Sequence, residues 1–148
     1  MNTTLNPQPY DSLTFSCRKI FIHQLKLDCW IGAYAHEKQH PQQVLFDCEV
    51  WISLQDSTSS SDDLSDVLNY DVLVNQMTEI ALAQHYNLQE TLVDTIADKL
   101  INLPGIQLLR LTSAKTEAYD NVKAVGIVLV CRIVEEVTHT VTRIEYHL

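Results

Sequence analysis

Apolar residues recur along this chain with two different periods, and the switches between them mark its elements. Val44, Phe46, Cys48, Val50, Ile52 and Leu54 occupy every second position, with Asp47, Glu49 and Ser53 between them. A period of two puts one set on a dry face and the other on a wetter one, so the segment is a strand. Trp51 interrupts the polar set, which predicts that the second face is partly covered as well. Upstream, Arg18 to Trp30 is rich in β-branched and aromatic residues, and Leu25, Leu27 and Cys29 alternate with polar neighbours; it is another long strand. After the polar connector Gln55 to Asp66, Leu73, Met77, Ile80 and Ala81 recur with helical spacing and predict a helix from about Asp71 to His85. Asn87 followed by Glu90 reads as the start of a second helix, with Glu90 as the acid of a capping box. Leu92, Val93, Ile96, Ala97 and Leu100 form its apolar stripe up to Pro104-Gly105. Ile106 to Leu111 and Lys123 to Val134 return to strand character, and Val137 to Tyr146 has the β propensity of an edge strand or a partner contact.

The order β-β-α-α-β-β predicts an α+β fold, a four-stranded antiparallel sheet with two helices on one face. Its edge strands would be left unpaired, and closing a ring-shaped barrel with copies of itself removes that liability. The expected organisation is an N-terminal arm over 1–16, flexible because it holds Pro7 and Pro9 and no periodicity, a single domain over 17–135, and a β-prone tail over 136–148. A formal net charge of −9 disfavours phosphate backbones and anionic membrane surfaces, so neither nucleic acid nor membrane is the expected partner. The longest apolar run, Ala124 to Cys131, is far shorter than the roughly 18 residues of a spanning helix. Met1 to Phe15 lacks the pattern of a secretory signal, and a cytoplasmic location is expected. Cys17, Cys29, Cys48 and Cys131 form no C-x-x-C pair and read as reduced thiols.

Few segments suggest chemistry by themselves. The aspartates of the connector lack the glycine and the terminal glutamate of a calcium loop. His36-Glu37-Lys38-Gln39-His40 matches the zinc-protease string H-E-x-x-H, but that motif acts on a helix, and here it lies in a short link between strands with Pro41 directly after it. It reads as loop histidines. On position alone Lys115, just past a strand, reads as a snorkelling surface charge, Glu37 in its loop likewise as a surface charge, and Tyr70 as a helix-start aromatic.

Taken together, the segments resemble the dihydroneopterin aldolase family of folate biosynthesis, over roughly Lys19 to Ile133. The resemblance rests on Ile31-Gly32-Ala33-Tyr34-Ala35-His36-Glu37 with Gln42, on Ser61-Asp62-Asp63-Leu64 leading to Leu68-Asn69-Tyr70, on Leu88-Gln89-Glu90, and on Lys115 ahead of Ala124-Val125-Gly126-Ile127. Thr116 stands where the family often has proline, and the arm and tail extend past its usual ends.

The resemblance implies the tunnelling fold and retro-aldol cleavage of 7,8-dihydroneopterin without metal, Schiff base or other cofactor. It implies Lys115, Glu37 and Tyr70 as catalytic residues, and Glu90, Gln89 and Gln42 as substrate-binding residues. It also implies a homo-octamer of two stacked tetrameric rings, with Tyr70 reaching the pocket of an adjacent chain. A related epimerase of dihydroneopterin or dihydromonapterin triphosphate and an inactive ring-forming scaffold stand as alternatives. A relative with the same fold, the zinc-dependent pyruvoyl-tetrahydropterin synthase, needs three ligating histidines, and His23, His36, His40, His85, His139 and His147 offer no persuasive set.

Overall fold

The computed structural model describes residues 16–135 and 141–146. The chain runs β1 (Cys17–Cys29), β2 (Gln42–Ser53), α1 (Tyr70–Leu82), α2 (Gln89–Leu100), β3 (Ile106–Lys115), β4 (Val125–Glu135) and β5 (Val141–Tyr146). The strands form one antiparallel sheet in the order β1-β2-β3-β4-β5, with both helices packed on the same face. The four-stranded core with two helices is as the alternation predicts. The tail adds a fifth strand at the sheet edge, one of the two roles its β propensity predicts. It pairs with β4 only from Cys131 to Glu135, so Val125 to Val130 and the whole of β1 keep outer edges without a strand partner among the described residues. Of the arm predicted over 1–16 only Ser16 is among the described residues, and 136–140 and 147–148 of the tail lie outside them.

The dry face of β2 (Val44, Phe46, Cys48, Val50, Ile52) meets Leu109 and Leu111 of β3, the α1 stripe Leu73, Met77 and Ala81, and the α2 stripe Leu92, Val93, Ile96, Ala97 and Leu100. Burying each of the larger side chains contributes about 1.5–3 kcal/mol. On the opposite face Trp51 is only 5% exposed, packed with Leu108 and Val130 and lying 5.5 Å beneath the Lys19 ammonium, which accounts for its place among the polar set. All four cysteines are free. Burial, with a smaller contribution from Asp28, Glu49 and Asp94 respectively, pushes the thiols of Cys29, Cys48 and Cys131 up to about 11, 12 and 11, so they behave as apolar core residues. Among the described residues no helix is long and apolar enough to cross a membrane.

Three predicted boundaries move, each for a tertiary reason. The first helix ends at Leu82, short of His85, because the following residues leave to pair with the β1–β2 loop: Tyr86 bridges Ile31. The second helix starts at Gln89 behind Leu88, which has no capping side chain, so the expected Asn87–Glu90 capping box does not form and Glu90 is not a cap residue. The third strand runs beyond Leu111 to Lys115, because Ser113 and Lys115 continue its inward alternation opposite Phe46 and Val44 of β2.

Candidate active site

The dry faces of β2 and β3 end in polar side chains. Gln42 continues the even-numbered set of β2, while Ser113 and Lys115 continue the odd-numbered set of β3, so all three stand where the core stops near the start of α2. The loop joining β1 to β2 crosses the same end and carries Glu37 on one turn of 3-10 helix, Ala35–Lys38. A cleft of about 670 Å³ opens there, lined by Glu37, Gln42, Gln89, Glu90 and Lys115 together with Tyr34, His36, His40, Glu117, Ala118, Tyr119 and Val125.

At its closed end Lys115 Nζ lies 2.7 Å from Glu37 Oε2, with the two side chains 12% and 11% exposed. Gln42 Nε2 donates to the same Glu37 oxygen at 3.0 Å and to the Ile31 carbonyl at 2.8 Å. The Tyr34 amide donates to Glu37 Oε1 at 3.4 Å. Burial by itself would raise the Glu37 carboxyl, but the hydrogen bonds from Lys115, Gln42 and the Tyr34 amide, with the charge of Lys115, outweigh it and hold the group below its ordinary range. Gly32 forms the wall behind this carboxylate. Its φ of +136° is strained for any side chain, and a Cβ would overlap Glu37.

The other end is open. Gln89 is anchored by Ser113 Oγ, which donates to its Oε1 at 2.8 Å. Glu90, one residue further along α2, is exposed to solvent. Tyr34 and His36 stack in parallel with ring centroids 5.9 Å apart, and both are exposed.

The structure therefore brings Glu37, Gln42, Gln89, Glu90 and Lys115 into one cleft, and Lys115 is not a snorkelling surface charge. Tyr70 does not join them. It opens α1 behind the Asn69 cap, 61% exposed and away from the cleft of its own chain. His36 and His40 are loop histidines, both exposed, and His40 Nδ1 donates to the Pro41 carbonyl at 3.2 Å. Among the described residues no group of three or more His, Cys, Asp or Glu is arranged to hold a metal ion; His139 and His147 lie outside them. The sequence reading did not single out Ser113, Tyr34, Glu117 or Tyr119. Strand alternation could have exposed Ser113, two residues before Lys115, whereas Tyr119 sits in an unpatterned loop.

The FolB family profile, described as dihydroneopterin aldolase, matches residues 20–130. A dihydroneopterin aldolase of Haemophilus influenzae is 27% identical over 113 residues, 76% of this chain and 94% of that one. Dihydroneopterin aldolase 1 of Arabidopsis thaliana is 32% identical over 83 residues, 56% of each chain. Among solved structures, the dihydroneopterin aldolase of Burkholderia thailendensis bound to guanine superposes with a TM-score of 0.72 at 26% identity, covering 80% of this chain and 93% of that one. The Escherichia coli enzyme in complex with neopterin shares the fold, with a TM-score of 0.71 at 24% identity over 76% of this chain and 97% of that one. Just past β3, the Thr116 hydroxyl accepts a hydrogen bond from Gln43 Nε2 at 3.1 Å. The profile match spans both hairpins and both helices, and on that ground the chain belongs to the dihydroneopterin aldolase family.

Proposed function

We propose that this aldolase cleaves 7,8-dihydroneopterin between C1′ and C2′, giving 6-hydroxymethyl-7,8-dihydropterin and glycolaldehyde for folate biosynthesis. The observation that carries the reading is the Glu37–Lys115 pair, closed into the same cleft that presents Glu90 at its open end. Retro-aldol cleavage needs an electron sink, and this substrate brings its own in the N5=C6 bond. A base takes the proton of the 2′-hydroxyl, the C1′–C2′ electrons move into C6=N5, and N5 takes a proton while C2′ and C3′ leave as glycolaldehyde. Protonation at C1′ and return of the N5 proton then restore the imine. These steps need neither a lysine imine nor a metal, because the bond that breaks is already conjugated to the sink.

In this reading Lys115 favours charge build-up at N5 and supports its protonation, directly or through a water. Glu37 keeps the ammonium aimed. Gln42, with its amide committed to Glu37 and to Ile31, acts through Glu37 more than by touching substrate. Glu90 accepts the pterin N3–H and 2-amino group as a paired hydrogen bond. Guanine, bound by the Burkholderia thailendensis relative, presents the same pair of donors. Gln89, fixed by Ser113, offers its amide N–H groups beside Glu90. Besides two histidines and two tyrosines, the cleft sets three carboxylates, Glu37, Glu90 and Glu117, against one lysine, Lys115, a balance that favours an uncharged substrate side chain over a triphosphate.

Tyr70 acts in proton transfer from a neighbouring copy. The outer edge of β1 and the stretch Val125 to Val130 of β4, both without a strand partner among the described residues, support closure of four chains into a ring-shaped barrel, with two rings stacked as an octamer in the cytoplasm. Incubation with 7,8-dihydroneopterin followed by chromatography tests the activity. Stoichiometric 6-hydroxymethyl-7,8-dihydropterin and glycolaldehyde is the expected result, formed equally with a chelator present and by enzyme first treated with borohydride and substrate and then freed of both. Inversion at C2′ without free glycolaldehyde would make the chain an epimerase, and no turnover of either kind would leave a scaffold.

A further inference from the structure

The carboxylate that aims Lys115 sits on a loop, and the groups that hold this loop come from two directions. From the sheet, Gln42 satisfies the Ile31 carbonyl. From the helical layer, the link between α1 and α2 grips the next peptide. The Gly32 amide donates to the Tyr86 carbonyl and the Tyr86 amide to the Trp30 carbonyl, both at 2.9 Å, and His85 Nε2 lies 2.8 Å from the Gly32 carbonyl. A carbonyl only accepts, so Nε2 carries the hydrogen and the imidazole is the donor. Gly32 is buried, and a Cβ on it would overlap the Glu37 side chain, so its peptide forms the back wall of the carboxylate. The same short link leads directly into Gln89 and Glu90.

We propose that His85, outside the cleft, is a positioning residue: by holding the Gly32 carbonyl it keeps Glu37, and through it Lys115, in register with Glu90. The inference rests on the aldolase reading of the cleft. His85 touches neither substrate nor Lys115. Its effect is to join the half of the site that performs proton chemistry to the half that holds the ring. Losing its N–H leaves a buried carbonyl without its side-chain donor and lets the Gly32 peptide rotate, which moves the wall against which Glu37 is packed. Glutamine places an amide N–H at nearly the same reach as Nε2, so it separates the hydrogen bond from the rest of the imidazole.

The experiment compares the wild-type homo-oligomer with His85→Ala and His85→Gln. For His85→Ala, kcat on 7,8-dihydroneopterin should fall by about 10–100-fold, the scale of a misplacement of about 1 Å in a catalytic group. Affinity for 6-hydroxymethyl-7,8-dihydropterin should stay within about twofold, since Glu90 stands on its own helix. His85→Gln should recover most of kcat. A second measurement is independent of turnover: the rate at which an amine-acylating reagent labels Lys115, read by peptide mass mapping, should rise in His85→Ala and return toward wild type in His85→Gln. Unchanged kcat and unchanged labelling in a folded His85→Ala would overturn the proposal, as would a folded His85→Gln as impaired as the alanine variant. If the wild type does not cleave dihydroneopterin, the functional reading fails, while the labelling arm still decides whether His85 holds the Glu37–Lys115 pair.

Discussion

The two ends of the cleft are built on opposite principles. At the closed end Glu37 has both oxygens engaged by Lys115, Gln42 and the Tyr34 amide, behind a glycine that admits no side chain. At the open end Glu90 stands exposed on the first turn of α2, where the expected capping box does not form. A charge that must act during a reaction benefits from being oriented beforehand, since reorienting it in the transition state costs rate. A charge that receives a ligand must stay accessible until the ligand arrives. Under the proposed function, chemistry belongs to the closed end and recognition to the open one, and that division can be broken at either side.

The largest effect is expected at Lys115. Lys115→Ala should lower kcat by about 100- to 10,000-fold, the usual scale for a positioned proton-transfer group, with KM little changed. A steady-state comparison that found mainly a KM effect would move Lys115 to the binding side. Glu90→Ala should do the reverse. Loss of a hydrogen bond to a charged group weakens pterin binding by about 1.5–3 kcal/mol, measurable by titration, while folding stability barely changes at so exposed a position.

A third test sharpens the comparison by asking whether the closed end is completed from another chain. Tyr70→Phe and Lys115→Ala oligomers should each be impaired. Mixing them in equal amounts through mild unfolding should restore up to about one quarter of wild-type activity, because a site drawing its tyrosine and its lysine from two chains at random is intact in about one case in four. No recovery in verified mixed rings would put both residues to work within one chain. The smallest effect is on stability against pH. Because the folded state holds the Glu37 carboxyl below its ordinary range, the stability it contributes is fully present above that range and is lost as pH falls through the lowered value. Melting temperatures of wild type and Glu37→Gln should therefore converge on acidification; a constant gap would mean that the ionic form of Glu37 adds nothing to folding.

Local pattern was enough to read both hairpins, both helices and the partly covered second face at Trp51, because period and burial are set by neighbours two to four residues apart. It misjudged the ends. Lys115 looked detached from its strand because polarity at Ser113 and Lys115 masked an alternation that continues, and Asn87 and Glu90 looked like a cap because the composition of a capping box is also that of an exposed helix start. Val141 to Tyr146 was legible as β-prone, yet its own residues do not reveal that it adds a fifth strand to β4.

The chain by itself determined which residue types stand where the dry faces stop and the loops begin: a glutamine opening β2, a serine and a lysine closing β3, a glutamate opening α2, and a glutamate in the loop five residues after a glycine. Only the tertiary structure decided that these ends coincide. Glu37 and Lys115 are 78 positions apart, and His85 lies 53 from Gly32. No periodicity spans such separations. Pairing of β2 with β3 brings Gln42 and Lys115 to one end of the sheet, and packing of the helical pair sets the Tyr86 bridge and the His85 contact against the loop that carries Glu37. The ion pair, its lowered carboxyl and the split of the cleft into a closed and an open half follow from that packing, because burial and hydrogen bonding are properties of neighbours in space.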